Sequence, residues 1–105
     1  MKNGGENVPS EPGVNVLIPT PLRQYTGGVA KVLVIGSSVS EVLDALDVAY
    51  PGIGERLRDD SGQIRRFVNV FVNGQNVRDK DGVETRLVAG DEVGIIPAMA
   101  GGASD

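Results

Sequence analysis

Pro97-Ala98-Met99-Ala100-Gly101-Gly102 is the stretch of this 105-residue chain whose residue types and order are best suited to chemistry. Pro97 fixes one torsion and the next five residues carry nothing bulky or charged, so an extended arm of about 17 Å follows, at about 3.4 Å per residue. Gly101 and Gly102 lack Cβ atoms, so they can thread a channel too narrow for other residues and let backbone approach a ligand closely. A carboxylate on such an arm is a substrate rather than a catalyst, because another enzyme can activate it and pass it on. The dipeptide alone is a weak signal, since Gly4-Gly5 and Gly27-Gly28 repeat it. Its place directly behind the apolar run Ile95-Ile96-Pro97-Ala98 sets it apart.

The composition leaves few other chemistries open. Without cysteine there is no disulfide framework, thiolate metal site, redox couple or cysteine nucleophile. Without histidine the chain lacks the commonest general base near neutral pH and the commonest metal ligand, and a Ser-His-Asp triad is impossible. Its net charge of −4 argues against a nucleic-acid partner, which requires a basic patch. Apolar runs are only a few residues long and nothing resembles a signal peptide, so no membrane association is expected and the cytoplasm is the expected location. No metal site is expected either. Asp44 and Asp47 lie three apart on a helix face with no histidine or third carboxylate nearby in sequence, which reads as a solvated face. Asp79, Asp81 and Glu84 lack the full spacing of a calcium loop.

The elements that position the arm follow from the hydrophobic pattern. At 40% hydrophobic and 23% charged residues, the chain reads as one small globular domain. Residues 1–12 are polar with no periodic apolar face and read as a flexible extension. Residues 13–97 read as the folded domain and 98–105 as a flexible tail. Val14 to Ile18 is a β-branched strand stopped by Pro19-Thr20-Pro21, and Leu22 to Gly28 reads as a loop that closes a hairpin with a second strand, Val29 to Ile35. A helix is predicted from Val39 to Tyr50. Ser38 caps it, Glu41 completes a capping box, and Val39, Val42, Leu43 and Leu46 line one face. Ile53 to Leu57 reads as a single further helical turn. Phe67 to Val72 is the strongest strand, Asn73-Gly74 suits a type I′ turn, and Asn76 to Arg78 reads as a short return strand. Asp79 to Glu84 reads as another turn, and Glu92 to Ile96 as the last strand.

One helix must therefore cover one face of a mixed sheet, with a right-handed crossover that puts the first and last strands side by side and parallel. The expected fold class is α+β: a β-grasp of four to five strands with one main helix. On its strongest strand Val68, Val70 and Val72 alternate with Phe67, Asn69 and Phe71. The valine side packs on the helix, so Phe67, Asn69 and Phe71 face outward, as do Leu17 and Ile96 by the same alternation. An exposed apolar strip rimmed by polar groups is a candidate partner-binding surface. Arg65-Arg66 reads as a solvated strand entrance.

Four segments carry a resemblance to a known family. They are Ile18-Pro19-Thr20-Pro21-Leu22-Arg23 with Thr26-Gly27-Gly28; Tyr50-Pro51-Gly52-Ile53 with Glu55-Arg56-Leu57; Arg66 to Asn73; and Ile95 to Gly102. Together they span about Val14 to Gly102. They resemble the ubiquitin-like sulfur carriers of the MoaD/ThiS family, most of all the CysO type, whose fold is the β-grasp. The resemblance implies that Gly102 carries the cargo and that Pro97, Ala98, Met99, Ala100 and Gly101 thread a partner's active site. A ubiquitin-activating-like adenylyltransferase and sulfurtransferase would adenylate the Gly102 carboxylate with ATP and exchange the adenylate for sulfide. The resulting thiocarboxylate would donate sulfur on an accepting biosynthetic enzyme, making cysteine, a thiosugar or another thio-metabolite. The chain itself would be no enzyme. No segment has phosphate-loop form, so ATP is expected on the activating enzyme and no cofactor on this chain. Family members engage their enzymes through a sheet face next to the tail, and the free carrier is expected to be a monomer.

The sequence departs from the family at one place. Family members usually end at the second glycine, whereas Ala103-Ser104-Asp105 follow here. A zinc-dependent JAMM-type peptidase cutting between Gly102 and Ala103 is therefore expected. Three alternatives stay open at this level: a ubiquitin-type modifier joined to lysines through Gly102, a molybdopterin-synthase small subunit, and an inert β-grasp interaction module.

Overall fold

Alternating β-branched residues assemble into a five-stranded mixed sheet in the computed structural model, which describes residues 13–97. The strands are β1 (Gly13–Leu17), β2 (Lys31–Ile35), β3 (Val68–Val72), β4 (Gln75–Asn76) and β5 (Glu92–Pro97). Their spatial order is β2-β1-β5-β3-β4. β1 and β5 run parallel in the middle, with Val16 opposite Val93 and Leu17 opposite Gly94. Every other pairing is antiparallel. This is the β-grasp. The expected segments 1–12 and 98–105 lie outside the described residues.

Helix α1 (Val39–Ala49) covers one face of the sheet. Its Val39, Val42, Leu43 and Leu46 are fully buried with Val14, Val16, Val68, Val70 and Val93, which point to the same side. Alternation on β3 is as the sequence predicts, the three valines facing inward. The Ser38 hydroxyl caps α1 by accepting from the Glu41 amide at 3.2 Å. Glu41 reaches one residue further back than a capping box requires, accepting from the Ser37 amide at 2.8 Å and the Ser37 hydroxyl at 2.9 Å. Those bonds, the amide first, hold the Glu41 carboxyl below its ordinary value.

Four local expectations are revised. Leu22 to Gly28 is not simply a loop, because a 3-10 helix spans Thr20–Tyr25 with a proline in its first turn, where a fixed φ is an advantage. The second strand starts at Lys31 rather than Val29. The return strand is only Gln75–Asn76, because Val77 turns into the core in a 3-10 turn whose Arg78 amide is capped by the Asn76 side chain at 2.9 Å. Asp44 and Asp47 are not merely solvated. Asp44 pairs with Arg58 at 2.6 Å. Asp47 accepts from the amides of Gly52 (3.2 Å) and Gly54 (2.8 Å), which fastens the start of helix α2 (Ile53–Leu57) to α1. The Asn73-Gly74 turn is as expected, with φ of 50° and 86°.

Gly36 marks a tight junction, where β2 hands the chain to α1. A Cβ there would sit 2.9 Å from Val42 Cγ2 and 3.0 Å from the Val42 amide nitrogen. Gly36→Ala is expected to cost about 1–3 kcal/mol through overpacking, read as a lower urea midpoint. Glu41 sets a pH dependence. Its lowered folded-state pKa gives a stabilisation fully present above its ordinary value of 4.5 and lost as pH falls through the folded value. Glu41→Gln is therefore expected to lower the thermal midpoint at neutral pH and to flatten its decline on the acid side.

Candidate functional site

The described part of the site is the end of β5 and what surrounds it. β5 pairs with β1 as far as Gly94 and with β3 as far as Pro97, where Ile96 meets Asn69 and Pro97 meets Val68. The last described residue is thus tied to the sheet through β3. Pro97, first residue of the expected arm, is half-buried. Ala98, Met99, Ala100, Gly101, Gly102 and Ala103 lie outside the described residues.

On the sheet face opposite α1, Leu17 and Phe71 flank Gly94 in register. Nothing lies within 4 Å of where a Gly94 Cβ would be. The face therefore has a shallow bare floor between two apolar walls, with Ile96 further along β5 at 54% exposure. Leu17, Asn69 and Phe71 are half-buried, and the Asn69 side-chain oxygen accepts from Asn76 at 3.3 Å. The structure brings these four predicted residues together on one face. Phe67 stands apart: it precedes β3, so the pleat does not fix its direction, and it lines a separate cleft beside the tail exit while remaining 54% exposed. Three contributors escaped the sequence reading. Leu33 and Ile35 on β2, 68% and 53% exposed, extend the apolar face, and the alternation with Val32 and Val34 could have found them. Gly94 was legible only as a glycine.

The cleft at the tail exit is framed by the Thr20–Tyr25 helix, α2 and the segment entering β3. Leu22, Tyr25, Phe67 and Pro97 supply apolar surface, and Arg56 and Arg65 supply charge. Arg56 Nε donates to the Tyr25 hydroxyl at 2.7 Å, which raises the already high Arg56 pKa. The Arg56 guanidinium carbon lies 6.0 Å from the Tyr25 ring centre, within cation–π range. Arg65 Nε donates to the Glu55 carbonyl at 2.7 Å. Arg78 reaches across from beyond β4 and donates to the carbonyls of Arg65 and Val68, pinning the segment that carries Phe67. Arg65 is thus more than a solvated strand entrance. Among the described residues no cluster of three or more metal-ligating side chains occurs, and no helix is long and apolar enough to cross a membrane.

A β-grasp sheet whose central last strand ends at the edge of an open apolar face defines a small ubiquitin-like protein. The chain belongs to the ThiS family, whose sequence profile matches residues 16–102. It is 46% identical over 91 residues to the sulfur carrier protein CysO of Mycobacterium tuberculosis, covering 85% of this chain and 98% of that protein. A chain in the crystal structure of the Amycolatopsis orientalis BexX/CysO complex superposes with a TM-score of 0.81 at 42% identity, covering 85% of this chain and 99% of that one. The solution structure of the small archaeal modifier protein 1 from Methanosarcina acetivorans gives a TM-score of 0.77 at 28% identity, covering 88% and 98%. The expected family and fold are those found.

The bare floor can be separated from the core by mutation. Gly94→Ala is expected to leave stability unchanged or to raise it by up to about 1 kcal/mol, since a strand glycine is replaced and the new methyl meets nothing. Phe71→Ser, at a half-exposed wall, is expected to cost only about 1 kcal/mol by lost burial. A much larger loss for Phe71→Ser in urea denaturation would make that side chain core rather than surface.

Proposed function

We propose that this chain is a sulfur carrier of the CysO type and acts as a protein co-substrate, with no catalytic group of its own. The observation that carries the reading is that the sequence Ala-Met-Ala-Gly-Gly follows directly on Pro97, the last residue of the central strand β5. Family membership and the similarity to CysO proteins over most of the chain support it.

The chemistry is as follows. A peptidase of the JAMM zinc type hydrolyses the Gly102–Ala103 bond and exposes the Gly102 carboxylate. On a ubiquitin-activating-like enzyme, a carboxylate oxygen attacks the α-phosphorus of ATP; pyrophosphate leaves and an acyl-adenylate forms. Sulfide then attacks the acyl carbon, AMP leaves with its bridging oxygen, and the thiocarboxylate remains. Activation is needed because a free carboxylate is a poor electrophile until one oxygen belongs to a good leaving group. The thiocarboxylate finally donates sulfur on a biosynthetic enzyme that makes cysteine, a thiosugar or another thio-metabolite. ATP binds the activating enzyme, and the cytoplasm, where ATP is at hand, is the place of action. Leu17, Gly94, Phe71 and Ile96 form the face that docks on these enzymes. The BexX/CysO complex of Amycolatopsis orientalis supports the premise that proteins of this kind bind a partner.

The likeness to a small archaeal modifier protein favours one second reading, in which activated Gly102 forms isopeptide bonds with lysines. One assay separates the two. The chain ending at Gly102 is incubated with a ThiS-family activating enzyme, ATP and sulfide, and its intact mass is measured. Sulfur loading is expected as a mass gain of one sulfur-for-oxygen exchange, abolished by Gly102→Val. Conjugate ladders without that gain would assign the chain to the modifiers, and neither product would sink both readings.

A further inference from the structure

The cleft at the tail exit, about 790 Å³, is not used by the reading above. Its guanidinium groups are fixed but incompletely used. Arg56 is held through Nε on the Tyr25 hydroxyl, and Arg65 through Nε on the Glu55 carbonyl. Among the described residues, the terminal nitrogens of both arginines have no hydrogen-bond acceptor, and the one ion pair is Arg58 with Asp44. Two forks are therefore held ready for a carboxylate, the partner their planar geometry fits best. Glu55 is the one acidic residue that lines the cleft, so the lining carries a net positive charge in a chain of net charge −4.

The position of Pro97 identifies the occupant. Pro97 forms part of the wall and pairs with Val68 at the last described position of the β3–β5 ladder, so the segment that follows is tethered at the cleft. Eight residues follow, Ala98-Met99-Ala100-Gly101-Gly102-Ala103-Ser104-Asp105, with one long apolar side chain and one charge. Fully extended they reach about 27 Å at about 3.4 Å each, more than the path from Pro97 to either arginine of the same cleft requires. A segment tethered this closely has an effective concentration on the order of millimolar, so contacts too weak to hold a free peptide suffice.

We propose that this cleft is the resting seat of the chain's own residues 98–105. Met99 rests on Leu22, Tyr25, Phe67 and Pro97, and the Asp105 carboxylate pairs with the terminal nitrogens of Arg56 and Arg65. The arm is then held while Ala103-Ser104-Asp105 remain attached, and their removal deletes the Asp105 side-chain charge and leaves only the Gly102 carboxylate on a shorter arm. The inference is independent of sulfur chemistry and stands or falls without it.

The absence of cysteine makes a direct test simple. Ser104→Cys in the full chain gives one site for a nitroxide spin label, and paramagnetic broadening is read on the isotope-labelled protein by NMR. Loss of most cross-peak intensity at Tyr25, Arg56, Arg65 and Phe67 is expected. Added salt and Asp105→Lys should each restore it; neither alters the residues of the folded body. Broadening spread evenly, or centred on another face, would overturn the proposal. So would broadening of labelled chains by a separate spin-labelled copy, which would make a second molecule the occupant. In the chain without a spin label, Asp105→Asn should shift the Arg56 and Arg65 side-chain NH signals, and unchanged signals would remove the ion pair.

Discussion

The parallel pairing of β1 with β5 is the constraint on which the rest of this structure depends. A parallel neighbour cannot be reached by a tight turn, so the intervening chain must travel out through β2, over the sheet as α1, and back through β3. That path wraps the helix across the face that Val14, Val16 and Val93 present, and buries all three completely. It also puts the last strand in the middle of the sheet instead of at its edge. Both neighbours of β5 are then in place as far as Gly94, and β3 continues alone to Pro97. The last described residue is therefore tied to the sheet by one ladder.

A division of labour follows. Among its described residues the folded body holds no cluster of three or more metal-ligating side chains. What it contributes is position: a fixed origin for the arm, a shallow apolar face beside it, and a charged cleft at its exit. Arg78 illustrates how much structure is spent on that end of the molecule, since a single guanidinium ties together the carbonyls that flank Phe67. The charge distribution agrees, with Arg56 and Arg65 at the exit while Glu41, Asp44 and Asp47 lie on the covering helix.

Much of the fold was legible because it depends on neighbours in sequence. Alternating valines on β3, the Ser38 cap, the Asn73-Gly74 turn and the helical spacing from Val39 to Leu46 each announce themselves within a few residues. The parts that were not legible depend on distant partners. The Thr20–Tyr25 helix opens with the prolines that read as a stop, and its packing partners come from elsewhere in the chain. The cleft depends on Arg56 meeting Tyr25 across 31 positions, which no local pattern encodes. Phe67 precedes Val68, where β3 begins, so alternation along the strand does not fix which way its side chain faces. The role of Asp47 is not legible locally because its donors, the amides of Gly52 and Gly54, come into reach only after the chain reverses at Pro51-Gly52. Residues of the arm itself were singled out by type and order, and lie outside the described residues.

The bare Cα of Gly94 has a consequence for how such proteins diversify. Nearly every interior position of a small domain answers to two masters, its own packing and whatever binds nearby. Here the backbone conformation is ordinary and the space above is vacant, so a methyl or hydroxymethyl added there is invisible to the fold and fully visible to a visitor on that face. One codon can therefore reshape this face while melting behaviour stays put. The lock can be re-cut at this spot without weakening the door.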